Sequence, residues 1–179
     1  MALRFGGYAK PRMLGTRAVG GAAPGMLDRP RCYVDTAEAL ASEAVRIEAR
    51  RAYAWEDAVV GTLQHEQPLS EEAAQRLIDR IWPRIASNFP RRMAGPPLVM
   101  VSTSLTPRIS AEYDPVRHEI RSHPELLRRY TLIHELGHAF ADGGHGPQFC
   151  RALMLLWQHA FNIAPWHAMR LAAEHGLAI

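Results

Sequence analysis

The chain has 179 residues, 47% of them hydrophobic, and a formal net charge of +3. That is the length of one ordinary domain with enough apolar side chain to bury a core, which excludes a wholly disordered polymer. The longest apolar run, Ala152 to Trp157, is far short of the roughly 18 residues of a membrane span, so no span is expected; two cysteines, Cys32 and Cys150, are too few for a disulfide scaffold or a four-cysteine zinc site.

The charge is unevenly placed. Residues 1–31 hold six basic groups (Arg4, Lys10, Arg12, Arg17, Arg29 and Arg31) against Asp28 alone, whereas the rest of the chain holds 15 basic and 17 acidic groups. The same segment contains Gly6-Gly7, Gly20-Gly21 and Pro24-Gly25 and lacks apolar periodicity. It reads as a basic, poorly ordered arm ahead of a folded domain over residues 32–179. Such an arm either solubilises the chain or meets an acidic partner or nucleic acid. The N-terminus lacks the compact apolar segment and cleavage site of a secretory signal, so the expected compartment is the cytoplasm.

Asp35-Thr36-Ala37-Glu38 has the form of a helix start, with a carboxylate three residues after an N-cap. The helix it predicts runs to about Val60 and closes at Gly61, with Leu40, Ala44, Ile47, Arg51, Ala54 and Ala58 near one stripe and Tyr53 and Trp55 adding bulk. Ser70 predicts a second start, with Glu71 and Glu72 where the helix dipole favours negative charge. That helix carries Leu77, Ile78, Ile81, Trp82 and Ile85, and Pro83 is expected to kink it. Leu98-Val99-Met100-Val101 is a buried-strand candidate, residues 108–113 alternate, Asp114-Pro115 marks a turn, and residues 117–122 return as a hairpin partner. These short strands are expected to pair antiparallel. Pro124 predicts a third helix with Leu126, Leu127, Tyr130, Leu132, Ile133 and Leu136, broken at Gly143-Gly144. Gly146-Pro147 opens a fourth, proline being tolerated in the first turn, and a fifth runs from near Pro165 to about Gly176. Two helices, a small sheet and three helices make an α+β domain.

The chemistry lies in His134-Glu135-Leu136-Gly137-His138. Residues four apart on a helix lie one turn apart on the same face, so both imidazoles can reach one metal ion. Glu135, beside the first histidine, can take a proton from a water on that metal. Zinc uses two such histidines, a third protein ligand and an open position for water. His145 is the first candidate for the third ligand, because Gly143-Gly144 lets the chain reverse before the next helix. Glu174, 36 residues after His138, and Asp142 are the alternatives.

His145-Gly146-Pro147-Gln148-Phe149-Cys150, following the His134–His138 motif, resembles the SprT-like zinc metalloprotease family. The likeness covers about residues 96–162 and implies a zincin-like fold, in which N-terminal helices and a small antiparallel sheet precede the active-site helix. It also implies a Zn2+ cofactor, metal ligands His134, His138 and His145, Glu135 as the catalytic residue and a protein or peptide substrate. Two departures stand out. Six residues separate His138 from His145, a short gap for that family, and the chain lacks the cysteines of a C-terminal zinc ribbon. ImmA/IrrE-like repressor-cleaving peptidases also show a His-Glu-Leu-Gly-His helix, with a downstream carboxylate as third ligand, and would use Glu174. A non-catalytic, metal-stabilised binding or assembly protein with a basic attachment arm is the competing class.

Arg76, Arg80 and Arg84 lie at successive i, i+4 spacings with Arg91-Arg92 beyond them, a phosphate-binding stripe or, more commonly, a solvated helix face. Tyr113 and Tyr130 are candidate hydrogen-bond donors to a developing oxyanion. Cys150 reads as a small buried side chain.

Overall fold

A computed structural model describes residues 43–89, 95–103, 111–141 and 144–179. The described residues form five α-helices and a three-stranded sheet, an α+β arrangement. The helices are α1 (Glu43–Val60), α2 (Glu71–Ile85), α3 (Arg129–His138), α4 (Pro147–Phe161) and α5 (Pro165–Glu174); the strands are β1 (Leu98–Val101), β2 (Ala111–Asp114) and β3 (Glu119–Ser122). The basic arm, the Asp35 cap, Asp142 and Arg91-Arg92 lie outside the described residues. No described helix is long and apolar enough to cross a membrane.

Helix α1 buries a different face from the one the alanine-rich stripe predicted. Ile47, Arg51, Ala54 and Ala58 face solvent, whereas Ala52, Trp55, Glu56 and Val60 are buried. The large rings decide this, since burying Trp55 removes far more apolar surface from water than several alanines do. Trp55 packs against Trp157 of α4, and its indole N–H donates to the Ala168 carbonyl of α5 at 2.8 Å, so one side chain ties three helices together.

Helix α2 starts as its sequence predicts. Ser70 accepts a hydrogen bond from the Ala73 N–H, Glu71 and Glu72 occupy the first turn, and Leu77, Ile78, Ile81, Trp82 and Ile85 are buried. The helix runs past Pro83 to Ile85, because Pro83 sits on the exposed face in the last turn. Arg76, Arg80 and Arg84 are exposed, with Glu72 and Asp79 among them, a mixed-sign solvated face.

The sheet order is β1-β3-β2, and the pairing is mixed, not wholly antiparallel: β2 and β3 form the expected antiparallel hairpin, but β1 lies parallel to β3. Strand β3 lies between β1 and β2, so β1 pairs with the second arm of the hairpin and not with the first. Strand β1 is an edge, not a buried strand; Leu98 is 57% and Met100 42% exposed, while Val99 is buried. Its outward N–H groups are satisfied from α2, Val99 by Gln75 Oε1 at 2.8 Å and Val101 by Glu71 Oε2 at 2.9 Å. Side chains thus close that edge to a further strand.

Helix α3 begins at Arg129, later than Pro124 predicted, and Pro124–Leu126 forms a single 3-10 turn instead. The Leu127 carbonyl is taken by the Leu69 N–H at 2.6 Å, and Arg128 is extended. That long-range bond breaks the helical ladder and restarts it at the position from which α3 can lie between the sheet and α4. Every residue from Leu132 to His138 is buried, so α3 is a central helix rather than an amphipathic one.

Candidate metal centre

Gly137 allows the closest approach in the molecule's centre. A Cβ placed there would lie 2.9 Å from Phe149 Cε2, nearer than real Cβ contacts come, and a tight 3.0 Å from Leu153 Cδ2, so those side chains of α4 would have to shift. The chain then reverses through Gly144, whose φ of 60° lies in the left-handed region that glycine enters freely. Gly146 is extended as the N-cap of α4 and Pro147 fills its first turn. The Gln148 amide donates to the Phe140 carbonyl at 2.8 Å, fastening the start of α4 to the chain just beyond α3. Each residue of the Gly146-Pro147-Gln148-Phe149 run therefore has a local task in turning His145 back toward α3.

The result is a cluster of three buried imidazoles. His134, His138 and His145 are 5%, 4% and 2% exposed, and each offers one ring nitrogen within 4.8 Å of the other two. His134 Nε2 and His145 Nε2 are 3.4 Å apart. Two nitrogens about 2.0–2.1 Å from one tetrahedral ion stand about 3.3 Å from each other, so this spacing suits two ligands of a single metal better than a nitrogen-to-nitrogen hydrogen bond. Phe149 fills the space beneath all three rings, with its centroid 4.5 Å from that of His138, 4.7 Å from His145 and 5.2 Å from His134.

His138 supplies the sharpest test of fit. Both of its ring nitrogens are buried and neither has a hydrogen-bond partner. An imidazole must hold a proton on one nitrogen and a lone pair on the other, and leaving both unmatched is costly. Burial first, and then the neighbouring His145 and His134 rings, hold His138 well below the ordinary histidine range. It is therefore kept in the neutral form that a metal ion requires. The three residues can hold a metal ion.

The cluster has a wall that the sequence did not announce. Glu56 of α1, 1% exposed, brings Oε2 to 2.8 Å from His134 Nδ1. An ionised Glu56 accepts from Nδ1, and in the neutral ring Nε2, the atom nearest His145, then carries the lone pair. Tyr53, one turn earlier on α1 and half-buried, stacks on His134 with 5.6 Å between centroids and 10° between planes, and leans on His145 at 4.6 Å. A signal for Glu56 was present, because an acid falling in register with Ala52, Trp55 and Val60 sits on the buried face of its helix.

The remaining candidates fall as follows. Glu135 is buried on α3 next to His134, at 1% exposure. Glu174 is not at the cluster; it is more than half exposed and paired with Arg170 at 2.7 Å on α5. Tyr113 is tied to His118 Nδ1 at 2.8 Å, and His118 in turn to the Gly95 carbonyl at 2.8 Å, which holds that phenol in a structural link. Tyr130 packs against the core. Cys150 is buried, as expected, and its thiol is pushed up to about 12 by burial and by the Glu48 and Glu56 carboxylates, so it stays a thiol and not a metal-binding thiolate. No family model, curated protein or solved structure matches this chain.

Proposed function

We propose that the chain is a zinc-dependent metallohydrolase of the zincin type, acting as a peptidase and related to the SprT-like family. The observation that carries this reading is the convergence of His134, His138 and His145, with both His138 nitrogens buried and unmatched, beside the acid of the same helix turn. His134, His138 and His145 would hold Zn2+, which when bound polarises a substrate carbonyl and makes water acidic enough to ionise near neutral pH. Glu135 is the general base that takes the proton from the attacking water and passes it to the leaving amine. Glu56 keeps His134 oriented by accepting from Nδ1. Phe149 and the helices around it exclude bulk water, so that charge forming in the site is stabilised more strongly than in solution. An extended peptide would lie along β2, which packs on α3 and has no strand on its outer side among the described residues. The β1 edge, sealed by Glu71 and Gln75, is the wrong one for it.

The test is metal analysis of the purified full chain, followed by peptidase assays of wild type and Glu135→Gln. Both proteins should hold one zinc ion, and the variant should lose about 100-fold or more in turnover. A wild-type rate in Glu135→Gln overturns the catalytic assignment. One observation favours a second reading, a metal-stabilised binding or assembly protein with an attachment arm: the three histidines and Glu135 are all at most 5% exposed, as a closed structural zinc site would be. Stoichiometric zinc whose removal only lowers the melting temperature, with no peptide turned over, selects that reading.

A further inference from the structure

Glu56 is 1% exposed and its second carboxylate oxygen, Oε1, has no hydrogen-bond partner. A buried carboxylate held by one imidazole N–H alone is poorly compensated, since a carboxylate accepts several hydrogen bonds in water and loses them here. One divalent cation held by the three histidines would balance that charge.

We infer that Glu56 is a positioning residue which couples metal binding to folding: it fixes His134 with Nε2 facing the ion, and its buried negative charge destabilises the metal-free state and is relieved when the ion enters. This rests on the reading of His134, His138 and His145 as a metal site, and it stands whether that site is catalytic or structural. The placement of the acid supports it. Glu56 reaches His134 from 78 residues away, on a helix whose neighbouring buried positions, Ala52, Trp55 and Val60, are all apolar. A carboxylate at that position has no use for packing alone, because an apolar side chain would fill the space without the desolvation cost.

The experiment titrates zinc, in competition with a chromophoric chelator, into full-length wild type, Glu56→Gln and Glu56→Asp, and records melting temperatures with and without zinc. Glu56→Gln keeps the shape and removes the charge. It should bind zinc about 10–100-fold more weakly, while its metal-free form melts at or above the metal-free wild type. The rise in melting temperature on adding zinc should shrink accordingly. The visible absorption bands of the cobalt-loaded protein should shift as well, because the donor strength of His134 depends on its Nδ1 partner. A residue with only a packing role would do the reverse, lowering the metal-free melting temperature and leaving the zinc affinity alone, and that result overturns the proposal. Should Glu56→Gln fail to fold, Glu56→Asp decides, since the shorter acid retains the charge but not the reach: weaker zinc binding supports the coupling and unchanged binding overturns it. A wild-type protein that takes up no zinc overturns the metal site itself, a separate failure that the same titration reads directly.

Discussion

The α3–α4 hairpin and helix α1 build one cluster by different means. The hairpin supplies all three imidazoles, Glu135 and Phe149 from one continuous stretch, residues 134–149. Helix α1 supplies the acid and the ring that orient them, Glu56 and Tyr53, from far earlier in the chain. Positions four apart on a helix and a glycine-mediated reversal are local geometry, so a short peptide encodes the three histidines that could hold a metal ion. Charge compensation and ring orientation arise only where a second element is packed against the first. His134 and His138 show the difference within one turn: His134 has a carboxylate from α1 on Nδ1, whereas His138 touches Phe149 and has neither nitrogen matched.

The largest effects should come from the hairpin's own ligands. His138→Ala or His145→Ala should lower zinc affinity well beyond the 10–100-fold of a supporting residue, whereas Glu174→Ala, an exposed partner of Arg170, should leave it unchanged. Zinc titration of the three variants side by side checks this; tight, stoichiometric zinc in His145→Ala with loss in Glu174→Ala would reverse the assignment.

The spacing within the hairpin is tested next. Gly137→Ala puts a Cβ against Phe149 and Leu153, and the expected cost is about 1–3 kcal/mol of overpacking, read as a lower melting temperature. Zinc affinity should fall with it, because α4 carries Phe149 and follows directly on His145. Unchanged stability would show that α4 has room to move away from α3.

The smallest effect concerns protons. In the metal-free protein His138 is held well below its ordinary value of 6.5, first by burial and then by His145 and His134. The unfolded chain therefore binds a proton that the folded chain refuses. Above about pH 6.5 neither state is protonated there and stability is unaffected; below it, stability should fall by at most about 1.4 kcal/mol per pH unit for this group until the folded ring itself protonates. Denaturant unfolding of metal-free wild type and His138→Phe between pH 7 and pH 5 measures it, with a shallower slope expected for the variant.

Several elements of this fold are legible in short stretches of sequence. The Ser70 start of α2, its apolar stripe, the β2–β3 hairpin and the Gly146-Pro147 start of α4 rest on capping, periodicity and turn chemistry, which act over a few residues. The elements that depart from expectation share a cause. The face that α1 buries is chosen by Trp55 meeting Trp157, the late start of α3 by Leu69 bonding Leu127, and the parallel partner of β1 by the place of β3 between β1 and β2. None of these leaves a local periodic trace.

By itself the sequence determined the α+β order of elements, the absence of a long apolar span and the placing of His134 and His138 on one helix face, with His145 the first of three candidates to join them, because each follows from short-range spacing. Only the tertiary structure decided which carboxylates serve that point. It put Glu56 against His134 and left Glu174 in solvent with Arg170, although both are glutamates on helices. The reason is physical. A carboxylate's role depends on what surrounds it, and its surroundings are set by the packing of large apolar side chains elsewhere on its helix, which for α1 is the anchoring of Trp55 between α4 and α5.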